Sequence, residues 1–156
     1  MIQRIQSIYL LAASLVLFSL FLFPLINNLI LNGHPDSIMV TGVYEVINGV
    51  RTKTASFLWL SVATVIAALL PLAGIFMYKN RKQQSSYLYI VIVLIIGYSF
   101  LLAETAKGFI GEGITLRTEN YGLGMILSSL AIVLIIFAVK GISRDEKLVR
   151  SADRLR

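Results

Sequence analysis

The chain contains no cysteine and only one histidine, His34. Without thiols there is no disulfide, no thiolate nucleophile, no cysteine-ligated zinc and no lipidated cysteine. One imidazole supplies neither a multi-histidine metal site nor two axial haem ligands. Charged residues make up only 14% of the chain. Catalytic signatures are missing too: there is no G-x-S-x-G, no phosphate-binding loop and no H-E-x-x-H. His34 sits in a turn beside Pro35 with no Ser or Cys nucleophile in a recognisable setting. Asp36, Glu45, Glu112 and Glu119 are scattered, so the carboxylate pair of glycosidic chemistry cannot be assigned. Gly108, Gly111 and Gly113 do not follow a strand and open a helix, as a phosphate loop must. The expectation is a non-enzyme with no cofactor and no bound metal.

What the chain has in abundance is apolar sequence. Of its 156 residues 57% are hydrophobic, and the mean hydropathy is +0.81. A soluble domain could not hide so much apolar surface. Four runs carry it, at about Ile8–Leu31, Ser56–Tyr78, Tyr87–Ala103 and Tyr121–Val139. Each is close to the ~20 residues that a helix needs to cross a bilayer core. The predicted fold is an all-α membrane protein, a four-transmembrane-helix bundle over residues 1–142, with a tail over 143–156. The first run has the Arg4-then-apolar order of a secretory signal. It is too long for one, and no small-x-small cleavage site follows it, so it is read as an uncleaved first span.

Basic residues give the orientation. Ten of the 14 Lys and Arg lie at the N-terminus (Arg4), in the Tyr78–Tyr87 loop (Lys79, Arg81, Lys82) and in the tail (Lys140, Arg144, Lys147, Arg150, Arg154, Arg156). The other two loops hold Arg51, Lys53, Lys107 and Arg117. Short loops rich in Lys and Arg stay in the cytoplasm. Both termini are therefore expected there, with the loops at 32–54 and 105–120 on the outer side.

The outer loops carry β signals. Asn48-Gly49 separates two β-prone runs, the strongest short hairpin signal in a sequence. Tyr44–Ile47 is predicted to pair with Val50–Lys53. Ile114–Thr118 is available as a third strand, because a lone hairpin is marginal in water. The small β-element is thus a periplasmic hairpin or a three-stranded sheet. Within the spans, Pro24 and Pro71 are each expected to kink a helix. Ala63 with Ala67, and Gly124 with Ser128, have the fourfold small-residue spacing that lets helices approach closely. They are expected to mark contacts inside the bundle. Glu104 and Lys107 stand three residues apart on one helix face near the outer interface, where they form a candidate ion pair.

The tail is the most specific polar element. Ser143 and Glu146 have the spacing of a capping box, so a helix can start there. Leu148, Ala152 and Leu155 then form an apolar stripe with Val149 at its edge, opposite Lys147, Arg150 and Arg154. Such a basic amphipathic helix can lie on anionic lipid or dock on a macromolecule. Interleaved Asp145, Glu146 and Asp153 dilute its charge, which favours a macromolecular partner. Lys147, Leu148, Arg150, Arg154, Leu155 and Arg156 are the candidate partner-binding residues. The partner class is a cytoplasmic protein or ribosomal RNA, not DNA.

The opening Met1–Leu11 and the closing Asp145–Arg156 resemble an uncharacterised four-span inner-membrane family of Bacteroidota, catalogued as a domain of unknown function. The resemblance covers the whole chain and implies a bacterial inner membrane with periplasmic outer loops. It implies no activity. Three functions are then open. The first is an accessory subunit of a larger envelope assembly, such as a protein translocon or secretion complex, held among membrane lipids and other membrane proteins. The second is a small transporter or channel acting as an oligomer. The third is a lipid-modifying enzyme.

Overall fold

A computed structural model describes residues 2–31, 34–47, 50–110 and 120–154. Helix α1 (Ile2–Phe18) runs into a single 3₁₀ turn (Ser19–Phe21). Four strands follow: β1 (Ile26–Leu31), β2 (His34–Met39), β3 (Gly42–Ile47) and β4 (Val50–Ser56). Helices α2 (Leu58–Phe76), α3 (Arg81–Ile110) and α4 (Gly124–Arg154) complete the chain. The protein is mostly helical, with a small antiparallel sheet in the order β1-β2-β3-β4. Helix α1 packs on α2 and α4, and α3 packs on the same two from the other side.

Helices α2, α3 and α4 are long and apolar enough to cross a membrane, and α1 contributes a shorter apolar helix over Ile5–Phe21. Their outward residues are large and apolar, among them Ile66, Leu69, Val93, Phe100, Ile126 and Val133. Soluble monomers do not carry an apolar surface of this extent. These helices mark a membrane protein.

The first apolar run is not one helix, which corrects the expectation of a single span over 8–31. Ser19 turns the chain: its hydroxyl donates to the Val16 carbonyl (2.6 Å), and its own carbonyl accepts from the Leu22 and Phe23 amides. Pro24 has no N–H and disfavours helical geometry at Phe23. It therefore ends the helical region and kinks nothing. Ile26–Leu31 leaves as a strand and pairs with β2. Pro71, by contrast, lies buried inside α2.

The predicted hairpin is present. Tyr44 faces Lys53, Glu45 faces Thr52, Val46 faces Arg51 and Ile47 faces Val50. Asn48 and Gly49, which join the strands, lie outside the described residues, as does the candidate third strand Ile114–Thr118. Strands β1 and β2 enlarge the sheet to four strands. The chain also folds back at Val40-Thr41, inside a β-branched run that reads as continuous. The carbonyl of Val40 accepts from the Ser61 hydroxyl (3.1 Å), and that of Thr41 accepts from the Phe57 amide (3.1 Å). Gly42 takes φ +153°, and a Cβ there would overlap the Ala55 carbonyl. The buried Leu25, Ile38, Val40, Val43 and Phe57 seat the sheet on the bundle end.

In the helices, position rather than hydropathy separates inside from outside. The buried residues of α3 are Gln84, Leu88, Val91, Ile95, Tyr98, Leu102, Ala106 and Ile110. On α4 they include Gly124, Ser128, Ala131, Ile135, Ala138, Ile142 and Asp145. Alternating steps of three and four, along α4 and as far as Leu102 on α3, give a seam of the coiled-coil kind. Gln84, Tyr98, Ser128 and Asp145, with the small Ala106, Gly124, Ala131 and Ala138, share it with large apolar residues, because a membrane gives apolar side chains no reason to leave the lipid. Cross-links follow from this. The Ser14 hydroxyl donates to the Ala68 carbonyl (2.7 Å), and the Thr64 and Tyr98 hydroxyls share a bond of 2.6 Å. Gln84 Nε2 donates to the Gly74 carbonyl (2.8 Å), and the Tyr87 hydroxyl donates to that of Leu70 (3.0 Å).

Of the fourfold small-residue pairs, Gly124 and Ser128 are both buried, while Ala63 is only partly so. Ala67 is buried on α2. Gly124 lies so close to Pro24 that a Cβ would stand 2.8 Å from the proline carbonyl oxygen.

Candidate functional site

The sheet and the α2–α3 turn mark opposite ends of the molecule, and the chain start and the end of α4 lie at the turn end. The pairing of Gln6 near the start of α1 with Asp145 on α4 places them so. At the sheet end, Gly122 and Gly124 amides donate to the Leu25 and Pro24 carbonyls (2.9 and 3.0 Å).

At the turn end, α4 does not stop at its last apolar residue. It runs unbroken through Lys140 to Arg154. At 1.5 Å per residue, that charged portion extends about 20 Å. The helix does not begin at Ser143, because residues 124–142 before it already belong to the same helix. The seam of α4 continues past Ile142 to Asp145 and Val149 in the same three-and-four rhythm. Asp145 is buried and accepts a 2.7 Å hydrogen bond from Gln6 Nε2. Gly141 makes room for the amide, since a Cβ there would come within 3.0 Å of Gln6 Cγ. Val149 and Leu148, one turn on, are 49% and 54% exposed.

So the apolar stripe read from the tail is in part the inward seam of α4 carried beyond the packing that covers it. Lys147 is exposed beside it, with Lys140 and Arg144 on the same helix face. Arg150 and Arg154 lie on α4. Leu155 and Arg156 fall outside the described residues. Sequence reasoning missed the Gln6–Asp145 clasp. Its only sequence signal was a glutamine in the first turns of an apolar helix.

At the sheet end, Lys107 Nζ stands 3.2 Å from Glu104 Oε1, with the side chains 70% and 71% exposed. An exposed pair of this kind contributes under about 1 kcal/mol. Glu104 also lines a cleft of about 430 Å³ together with Ser56, Phe57, Trp59, Thr105, Gly108 and Phe109. The Phe57 and Phe109 rings in its lining meet at a tilt of 60°, centroids 4.7 Å apart.

The register also places Asp36 directly opposite Glu45, two carboxylates that look unrelated in the sequence. Among the described residues no three His, Cys, Asp or Glu gather to hold a metal.

A family model described as a domain of unknown function (DUF4293) matches residues 2–155. No curated protein and no solved structure matches the chain. The match spans nearly the full length, and the chain belongs to the family described as a domain of unknown function (DUF4293).

Proposed function

We propose that the protein is a non-enzymatic accessory subunit of an inner-membrane assembly in a Bacteroidota-type envelope. In this reading all four helices span the bilayer, both termini are cytoplasmic and the sheet is periplasmic. Helix α1 with its 3₁₀ turn makes about 20 helical residues, the length a span requires. The charged end of α4 is then a rigid cytoplasmic prong, and it docks on a partner protein such as a translocon or secretion subunit.

One observation carries the proposal. The seam that packs α4 into the bundle continues to Val149, which is exposed, with the exposed Leu148 adjacent to it. An exposed apolar face at Val149 and Leu148, with Lys140, Arg144 and Lys147 on the face away from Val149, suits a partner helix that prolongs the bundle packing. Rigid presentation lowers the ordering cost of such a contact. A lipid-only tail would gain little from a clasp that fixes it against α1.

Photocrosslinking in living cells tests this. A photoreactive residue at position 148 or 149 should give one discrete protein adduct, and one at Lys79 should not. Replacing both Leu148 and Val149 by alanine should weaken the adduct about tenfold, as expected for central apolar anchors. Adducts to lipid or RNA alone would overturn the docking reading.

Topology is tested separately. A reporter active only in the periplasm should be silent when fused after Arg156 and active when inserted between Asn48 and Gly49. The reverse pattern would end the orientation proposed here.

A further inference from the structure

The two edges of the sheet differ. Along β1 the chain covers its own edge: the Gly122 amide donates to the Leu25 carbonyl (2.9 Å), Tyr121 bridges Ile26, and Asn120 Nδ2 donates to the Asn27 carbonyl (3.3 Å). Strand β4 is the opposite edge. Among the described residues none bonds to its outer side. Residues 50–54 are all exposed. The strand contains no proline, and its one irregularity lies toward α2, between the pairings of Lys53 and Ala55.

The register decides which backbone groups of β4 are open. The Glu45 carbonyl accepts from the Thr52 hydroxyl (3.4 Å), so Glu45 turns its peptide groups toward β4. The Tyr44 carbonyl accepts from the Ser37 hydroxyl (3.4 Å), so Tyr44 turns its groups toward β2. Opposed residues in an antiparallel ladder alternate between bonded and unbonded pairs. Thr52, facing Glu45, therefore bonds back into the sheet. Arg51 and Lys53, facing Val46 and Tyr44, hold their N–H and C=O groups outward. Their side chains, two residues apart, share one face of the sheet, and Glu45 alternates to the other. Lys53 crosses Gly42 on that shared face, where its Cε would stand 2.7 Å from a Cβ on the glycine. Strand β4 carries no acidic residue. Among the described residues neither Arg51 nor Lys53 is in an ion pair.

We infer that β4 is a docking edge for an extended acidic segment of another polypeptide, which joins the sheet as a fifth strand. This stands on the sheet alone, not on the docking role of α4 or on the side of the membrane that the sheet faces. Arg51 and Lys53 each offer one backbone donor and one acceptor to the incoming strand. Strand addition takes its affinity from such main-chain bonds and its selectivity from alternate side chains. Two acidic residues, two positions apart, fall opposite Arg51 and Lys53 on the shared face. A second copy is the wrong occupant. Two β4 strands related by a two-fold axis at Thr52 set Arg51 against Lys53, and an axis at either cation sets it against itself. Like charges directly opposite destabilise a strand pair. The cations that guard this edge against its own kind are the ones that admit an acidic strand.

Two labelled peptides test this on the full chain in a non-ionic detergent. One is acetyl-Thr-Glu-Val-Glu-Thr-Val-amide, and the other has lysine in place of each glutamate. By fluorescence anisotropy the acidic peptide should bind about tenfold more tightly, as two cross-strand charge pairs predict. At about ten times its Kd it should slow hydrogen exchange of the Arg51 and Lys53 amides about tenfold. Exchange at Thr52, already bonded within the sheet, should not change. Arg51→Glu combined with Lys53→Glu, both at exposed side chains, should invert the preference toward the lysine peptide. N-methylation of both glutamate amides should abolish binding, since those N–H groups donate to the Arg51 and Lys53 carbonyls.

Equal affinity for the two peptides, or no binding of the acidic one, would overturn the inference. So would binding that leaves the Arg51 and Lys53 amides unprotected or that survives N-methylation. Protection of those amides by raised protein concentration alone would assign the edge to a second copy instead.

Discussion

Replacing Gln6 by leucine should loosen the charged end of α4 from α1. Gln6 Nε2 is 2.7 Å from Asp145 Oδ2 in a buried contact. Leucine fills the space but leaves the carboxylate buried without that donor. An abandoned buried acceptor costs about 1–3 kcal/mol, and more when it is charged. The loss should appear as a lower unfolding temperature in detergent and as faster tryptic cleavage at Arg144 and Lys147. Asp145→Asn should be milder, since the amide oxygen still accepts from Gln6. The double change Gln6→Leu with Asp145→Leu should recover most of the stability, because no polar group is then left buried. A single Gln6→Leu variant as stable and as protease-resistant as wild type would show that the clasp holds nothing. The same variants bear on docking. A loosened prong should bind its partner more weakly even with Leu148 and Val149 intact.

A glycine series should give the other large effects. Gly122→Ala and Gly42→Ala should be the most damaging. At Gly122 a Cβ would overlap the Pro24 carbonyl, the point where the end of the first helical region meets the start of α4. At Gly42 it would overlap the Ala55 carbonyl and must also adopt φ +153°. Strain of that kind costs about 1–3 kcal/mol, and overlap with backbone, which cannot swing aside, adds about as much. Gly42→Ala should therefore lose about 3 kcal/mol or more, and Gly122→Ala, through overlap alone, about 1–3 kcal/mol, read as lost thermal stability or failure to accumulate in the membrane. Gly97→Ala is the control. Its Cβ meets nothing within 4 Å, so it should be neutral or gain up to about 1 kcal/mol of helix propensity. Equal behaviour of the three variants would contradict the packing at Pro24 and Ala55.

Some of this was legible from residues alone. Apolar mass made the chain a membrane protein, because no soluble fold could bury it. Asn48-Gly49 between β-branched runs signalled the β3–β4 hairpin, and the flanking strands pair in that register. Glu104 and Lys107, three residues apart on a helix, had to share a face.

Other features depended on partners far away in sequence. Hydropathy is a property of each residue by itself, and Leu25–Leu31 scores alike as helix or strand. Only pairing with β2, beyond a proline that stops the helix, decides for strand. The turn at Val40-Thr41 lacks local turn chemistry apart from Gly42. It is fixed by the Ser61 hydroxyl and the Phe57 amide at the start of α2. Which face of each helix turns inward was equally hidden, since lipid and protein interior are both apolar and the period carries little contrast. Gln6, Ser14, Thr64, Gln84 and Asp145 show the inward face only once the helices are side by side. The Gln6–Asp145 clasp joins residues 139 positions apart. The tail's chemistry was therefore set by its sequence, while its attachment to α1 and the exposure of Val149 were set by tertiary packing. A polar group in an apolar setting is stable only beside its partner, and the fold alone brings the two together.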